Sequence, residues 1–299
     1  MLHLFAMLPA FVLSAQPSAS VGLWGEVTPT RLRLGDVVFV EVSARNYGDS
    51  SVQIPAMCLL ETGTLTVEIA DREESTTFRF LPDGCPAGEE TPKIDLGPGE
   101  QRVLGVLMLP VPRLDWTEWR FWDPDKWRSG DYYLDLRCGE LAGRSEKLFI
   151  EGRSDEEMRR LLALYDGGVR APVPTGWDVD RPGLGTFGLL SFPAECSRPE
   201  NLATLEKTLS PGSLRDLVHV ARLTVQVYDS VSIDEKRTRA RELLDWIDTR
   251  PKLQRTYFYA RLANWARDCG GLGQFMFEFG RQIDARAGKP CRESGVLEK

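Results

Sequence analysis

Two hydrophobic periods divide this sequence, and one replaces the other near residue 152. In DVVFVEVSARNYGD, Val38, Val40, Val42 and Ala44 alternate with Phe39, Glu41, Ser43 and Arg45. Alternate residues line opposite faces of an extended strand, so the first set is expected to face inward and the second outward. The same period of two runs through Leu65, Val67 and Ile69 in LTVEIA and through Tyr132, Leu134 and Leu136 in YYLDLRC. Asn46-Tyr47-Gly48 supplies one turn and Leu96-Gly97-Pro98-Gly99-Glu100 another, ahead of the apolar run VLGVLMLP; KLFIE closes the region. Short strands punctuated by Gly, Pro and Asp predict an all-β antiparallel sandwich over residues 21–152.

Beyond that point apolar residues recur at helical spacing. SDEEMRRLLALYDGG opens with a capping box, Ser154 with Glu157, sets Met158, Leu161, Leu162 and Tyr165 on one face, and stops at Gly167-Gly168. A second box, Ser232 with Glu235, leads into a stripe of Ala240, Leu243, Leu244 and Ile247. Between the two, SLRDLVHVARLTVQVYD is apolar except along Arg215, His219, Arg222 and Gln226. LQRTYFYARLANWARDCGG follows, and LGQFMFEFGRQIDARAG places Leu272, Phe275, Met276, Phe279 and Ile283 at helical spacing. Residues 153–299 are thus expected to form an all-α helical domain, a bundle or a short array of helical hairpins. A Gly/Pro-rich loop over 168–198 interrupts it, and its length suits a linker or a functional segment.

The order GDVVFVEVSARNYG, then LGPGE, then SGDYYLDLRC resembles the bacterial immunoglobulin-like domains of exported proteins. There a long strand ends at Asn-x-Gly, a later turn is Pro-Gly-Glu, and a final hairpin begins Gly-x-Tyr. The resemblance covers residues 21–151 and implies a β-sandwich that binds, spaces or orients something; it implies no substrate. The helical half resembles tetratricopeptide repeats only faintly, without a clean self-match at that period.

Compartment is legible at the amino terminus. MLHLFAMLPAFVLSAQPSAS has no Asp, Glu, Lys or Arg and an apolar core followed by small residues, the pattern of a secretory signal peptide over residues 1–20. Leu13-Ser14-Ala15 offers a cleavage site, with Ala19 or Ser20 as alternatives. No later run is long and apolar enough to span a bilayer, so an exported protein without a transmembrane anchor is expected, periplasmic or extracellular. Six cysteines, Cys58, Cys85, Cys138, Cys196, Cys269 and Cys291, suit an oxidising compartment. Two patterns stay open: full pairing, which forces a bridge between the halves, or one bridge per half with two buried thiols.

Several chemistries are disfavoured. A net charge of -7 and a pI near 5.2 argue against nucleic acid, whose phosphates call for surplus Lys and Arg. His219 is the one histidine left after signal removal, too few for a two- or three-His metal site, and no Gly-x-Ser-x-Gly elbow accompanies it; it reads as a solvated or hydrogen-bonded side chain. Residues 183–188, GLGTFG, match a dinucleotide fingerprint, but Pro193 opposes the helix such a motif must open. Asp123-x-Asp125 suggests calcium, yet Lys126 lies inside that loop and Arg128 stands where the loop needs Gly. No metal and no cofactor are expected.

One stretch asks for more than folding. LDWTEWRFWDPDKW, residues 114–127, holds Trp116, Trp119, Trp122 and Trp127 among Asp115, Glu118, Arg120, Asp123, Asp125 and Lys126. Indoles ringed by charge suit a partner interface or a sugar ring, and equally a miniature core beneath a long connection. Trp116, Trp119, Trp122, Trp127, Arg120 and Asp123 are the candidate binding residues. The resulting expectation is a non-enzymatic binding or scaffold protein of the bacterial envelope, its partner a protein or glycan. A carboxylate-dependent carbohydrate-active enzyme and a proteinase-inhibitor-like sandwich are the alternatives. Oligomeric state is not legible in the sequence.

Overall fold

A computed structural model describes residues 20–56, 65–73, 77–80, 92–110, 129–154, 156, 199–268 and 273–287. Within them a mixed, sheet-rich amino-terminal region is followed by a helical region of five helices.

The sheet is built around β3 (Val37–Asn46), which pairs antiparallel with β1 (Val21–Thr28) on one side and β8 (Gln101–Pro110) on the other. β1 pairs in turn with β10 (Leu141–Ser145), this time parallel. β10 forms a hairpin with β9 (Gly130–Cys138), and β9 takes β5 (Leu65–Asp71) along its other edge, with β6 (Thr77–Phe80) beyond. β11 (Leu148–Glu151) also pairs with β9, and the short β2 (Arg31–Arg33) lies parallel to β11 as an end strand. A separate pair joins β4 (Val52–Pro55) to β7 (Lys93–Leu96). The turn after β3 closes as its sequence suggests: Asn46 Oδ1 accepts from the Gly48 amide at 2.9 Å, and Asn46 Nδ2 donates to the carbonyls of Ser50 and Leu96.

The expected alternation holds on the inner face. Val38, Val40, Val42 and Ala44 are fully buried, as are Leu65, Val67, Ile69, Leu134 and Leu136. On the other face the expectation fails at Phe39 and at Ser43, which is also buried. Phe39 is equally buried, its ring 5.4 Å from Tyr257 and 5.7 Å from Phe258. Those two rings belong to a helix laid across the sheet, so Phe39 seeds a second apolar layer. An alternating pattern reveals two faces, but not what covers the second. Farther along the face Trp24, Tyr47 and Val103 remain exposed.

The helices are α1 (Pro199–Thr208), α2 (Ser213–Asp229), α3 (Ile233–Asp248), α4 (Lys252–Asp268) and α5 (Gln274–Ala287). Ser232 caps α3, its Oγ accepting from the Glu235 amide at 3.1 Å, and Ala240, Leu243, Leu244 and Ile247 are buried as the stripe predicts. Phe275, Met276, Phe279 and Ile283 of α5 are buried likewise. α4 carries Tyr257 and Phe258 against β3, while α2 opens against the same strand: Ser213 Oγ accepts from the Val37 amide at 3.1 Å and donates to the Val37 carbonyl. Sheet and helices therefore share one continuous apolar interior.

Candidate functional site

Where the helices meet the end of the sheet, a cleft of about 610 Å³ opens between β2 on one side and the α1–α2 and α3–α4 turns on the other. That volume lies within the ordinary range for a small-ligand site. Pro29, Pro211 and Pro251 stiffen its walls. Its charged lining comes from Arg31, Arg33, Asp36, Glu151, Asp216 and Arg250.

Each acid owes its position to local structure. Gly35, at φ 94, takes the left-handed backbone that a side chain would strain, and this tight turn from β2 to β3 sets Asp36 beneath β2. Asp36 Oδ2 accepts from the Arg33 amide at 3.0 Å, and the Asp36 amide donates back to the Arg33 carbonyl at 2.9 Å. The other oxygen, Oδ1, meets Arg153 Nη2 at 3.3 Å, with both side chains buried. Arg153 Nε also donates to the Leu34 carbonyl, so one guanidinium ties the end of the sheet to this turn. Gly212 comes so close that a Cβ there would stand 3.1 Å from Asp36 Oδ1, which places the α1–α2 turn directly over Asp36.

Burial pushes the Asp36 carboxyl above its ordinary value. The Arg33 amide and the charges of Arg153 and Arg33 pull it down without prevailing, and the negative charge of Asp216 adds to the push.

Asp216, on the first turn of α2, accepts from Arg250 Nη1 at 3.2 Å and from Gln254 Nε2 at 2.9 Å. Glu151 lies 3.8 Å from Arg33, a half-exposed pair of little energetic weight. Arg31 differs: its guanidinium sits 4.8 Å from the Phe149 ring centroid, and no carboxylate pairs with it among the described residues.

Behind the cleft a polar chain continues into the helices. Arg250 also lies 4.3 Å from the Trp246 ring centroid, and that ring packs 4.5 Å from His219. His219 Nδ1 approaches Glu206 Oε1 at 2.8 Å, and Arg222 Nε donates to Glu206 Oε2 at 2.7 Å. Burial opposes ionisation of Glu206, but these two hydrogen bonds outweigh it and hold the carboxyl below its ordinary value. One turn apart on α2, Asp216, His219, Arg222 and Gln226 thus form a polar seam beneath α1 and α3. His219 is hydrogen-bonded within that seam.

A second pair of acids lies on the outer sheet face. Glu26 and Glu41 stand opposite one another in the β1–β3 register. Burial pushes Glu41 above its ordinary value; Lys252 offsets part of this, and Glu26 adds to it.

The sequence-derived binding residues Trp116, Trp119, Trp122, Trp127, Arg120 and Asp123 lie outside the described residues, as do Asp115, Glu118, Asp125, GLGTFG and the Gly/Pro-rich loop. Cys138 is fully buried at the end of β9; Cys58, Cys85, Cys196, Cys269 and Cys291 lie outside the description. Among the described residues no cluster of three or more His, Cys, Asp or Glu side chains could hold a metal ion, and no helix is long and apolar enough to cross a membrane. Arg31, Asp36, Asp216 and Arg250 escaped the sequence reading. Their nearest signal is the Pro or Gly beside Asp36, Ser213 and Arg250, which marks junctions and not chemistry.

No family model matches the chain, and no curated protein matches it either. Among solved structures it is similar to the Pseudomonas fluorescens alkylpurine DNA glycosylase AlkC, at 14% identity and a TM-score of 0.27, covering 44% of this chain and 31% of that one. It is similar to a β-glucosidase from Erythrobacter marinus at 18% identity and a TM-score of 0.26, covering 44% of this chain and 15% of the enzyme. A CARDB domain from Pyrococcus furiosus matches at 13% identity and a TM-score of 0.21, with 44% and 91% covered. The chain thus spans less than a third of the first two proteins, and scores this low carry no functional inference.

Proposed function

We propose that this is an exported, non-enzymatic binding protein in which an immunoglobulin-like sandwich, braced by helices, recognises a protein or glycan in the cleft beside β2. The strand connections support the finer fold reading. β1, β3 and β8 follow the order of strands A, B and E of that fold, and β10, β9 and β5 the order of G, F and C. β1 belongs to both sets, pairing antiparallel with β3 and parallel with β10.

One observation carries the binding reading: every acid in the cleft already has a counter-charge. Asp36 is held by Arg153, Asp216 by Arg250, and Glu151 faces Arg33. Acid–base work needs a carboxyl free to exchange its proton with substrate, whereas the Asp36 and Asp216 pairs shape and stiffen the walls. Amide spectra recorded while pools of blocked peptides or envelope oligosaccharides are added test this. Shifts confined to residues 28–36, 210–216 and 250–254 are expected for at least one pool; silence at all of them with every pool defeats the proposal.

A carbohydrate-active enzyme remains the second reading, and Glu41 favours it. A carboxyl pushed up and facing Glu26 across two strands has the makings of an acid and its partner. Hydrolysis of aryl glycosides that vanishes in Glu41→Gln would establish this reading in place of the first. The tryptophan-rich stretch stays a further contact candidate; Trp119→Ala with Trp122→Ala should weaken binding without lowering the melting temperature if those rings are contacts. Export and disulfide formation belong to the same proposal. Mass spectrometry of alkylated protein before and after reduction reads the pairing directly.

A further inference from the structure

The cleft has one wall made of unpaired strand edge. In a parallel ladder the backbone groups of alternate residues turn to the same neighbour. The Thr30 carbonyl accepts from the Phe149 amide and the Leu34 amide donates to the Glu151 carbonyl, with Leu32 opposite Ile150. Leu32 therefore turns its amide and carbonyl to β11, and Arg31 and Arg33 turn theirs away. β2 ends the strand order, so no further strand among the described residues meets them. Asp36 takes both backbone groups of Arg33. The amide and carbonyl of Arg31 are left without a partner among the described residues.

These two groups face the cleft. Asp36 marks the open side of β2, since it bonds Arg33 there, and Gly212 lies against the same carboxylate. Around the open rung the walls include Pro29, Pro211 and Pro251, which have no amide hydrogen to offer. Within β2, polar recognition is thus left to the Arg31 backbone and its side chain. That guanidinium is exposed, lies over Phe149 and has no carboxylate partner among the described residues, whereas Arg33, Arg153 and Arg250 each have one.

Building on the binding reading of this cleft, we infer that its ligand is an extended peptide that adds to β2 as a short strand, exchanging both backbone hydrogen bonds with Arg31 and placing a carboxylate on the Arg31 guanidinium. Strand addition suits this place because main-chain bonds supply affinity and the neighbouring charge supplies selectivity. Loss of the ion pair should weaken binding roughly tenfold.

The probes are blocked pentapeptides of alternating Thr and Val: one with a central Asp, one with Asn there, and the Asn peptide with a free carboxyl terminus. Two further Asp peptides carry N-methyl groups on alternate amides, one in each phase. The mature wild-type protein is expected to bind the Asp peptide about tenfold more tightly than the blocked Asn peptide, and Arg31→Glu to erase that preference. The free-carboxylate peptide tells whether a chain terminus serves as well as a side chain. Exchange of the Arg31 amide hydrogen should slow on binding, and one N-methyl phase should abolish binding while the other leaves it intact. If Ser213, Asp216 and Gln254 amides shift but Arg31 exchange does not slow, or both phases bind alike, strand addition is wrong and the cleft remains a binding site. If no cleft amide responds to any peptide, the inference falls, and the oligosaccharide pools then decide the fate of the cleft itself.

Discussion

Asp36 and Arg153 form an ion pair with side chains only 8% and 7% exposed, at the turn that holds β2, β3 and α2 together. Removing one partner of such a pair leaves a buried charge with nothing to meet it. Arg153→Met, which leaves the buried Asp36 carboxylate without its counter-charge, is expected to cost about 3 kcal/mol in urea unfolding at neutral pH. The pH dependence carries a definite sign. Folded Asp36 holds its proton more tightly than in the unfolded chain, so its contribution is fully present below the ordinary value of 3.8 and is lost as pH rises through the folded value. Stability measured at stepped acid pH should show that descending contribution in the wild type and not in Asp36→Asn; an ascending one would contradict the assigned burial. Glu206 behaves oppositely. Its carboxyl is held below 4.5 by His219 and Arg222, so its contribution is present above that value and disappears as pH falls through the folded one. Glu206→Gln should therefore flatten the acid side of the stability profile, and a parallel offset at every pH would refute the hydrogen-bonded seam.

Among the elements, one hydroxyl hydrogen-bonds the start of α2 to β3. Ser213→Ala strands the buried amide and carbonyl of Val37, at an expected cost of about 2 kcal/mol, with faster hydrogen exchange at the Val37 amide as its local signature. Unchanged exchange there would show the bond to be dispensable. How far these elements were legible depends on what kind of information each needs. Periods of two and of 3.6 residues are local, so β3, β5, β9, α3 and α5 could be read from their own residues, down to the Ser232 cap. Phe39 could not, because its burial is decided by Tyr257 and Phe258, which no local pattern connects to it. The cleft was hidden for the same reason. Arg31, Asp36, Asp216 and Arg250 are ordinary surface types in their own segments, and only the docking of α2 beside β2 brings them together. The tryptophan-rich stretch stood out because composition is visible in a sequence, whereas the backbone rung at Arg31 has no compositional trace at all.

For the whole molecule, a shared interior means that sheet and helices should not melt apart. Far-ultraviolet signals of strand and helix are expected to follow one urea transition with the same midpoint, and two separated midpoints would show the halves to be independent. The contact between Phe39 and Phe258 has a further consequence, in time and not in energy. A ribosome, or an export channel, delivers the chain from its amino terminus. β3 emerges early, but the helix that shields its outer side arrives more than two hundred residues later. Until then the nascent sheet carries a sticky stripe that only a holding factor, or speed, can keep from its neighbours.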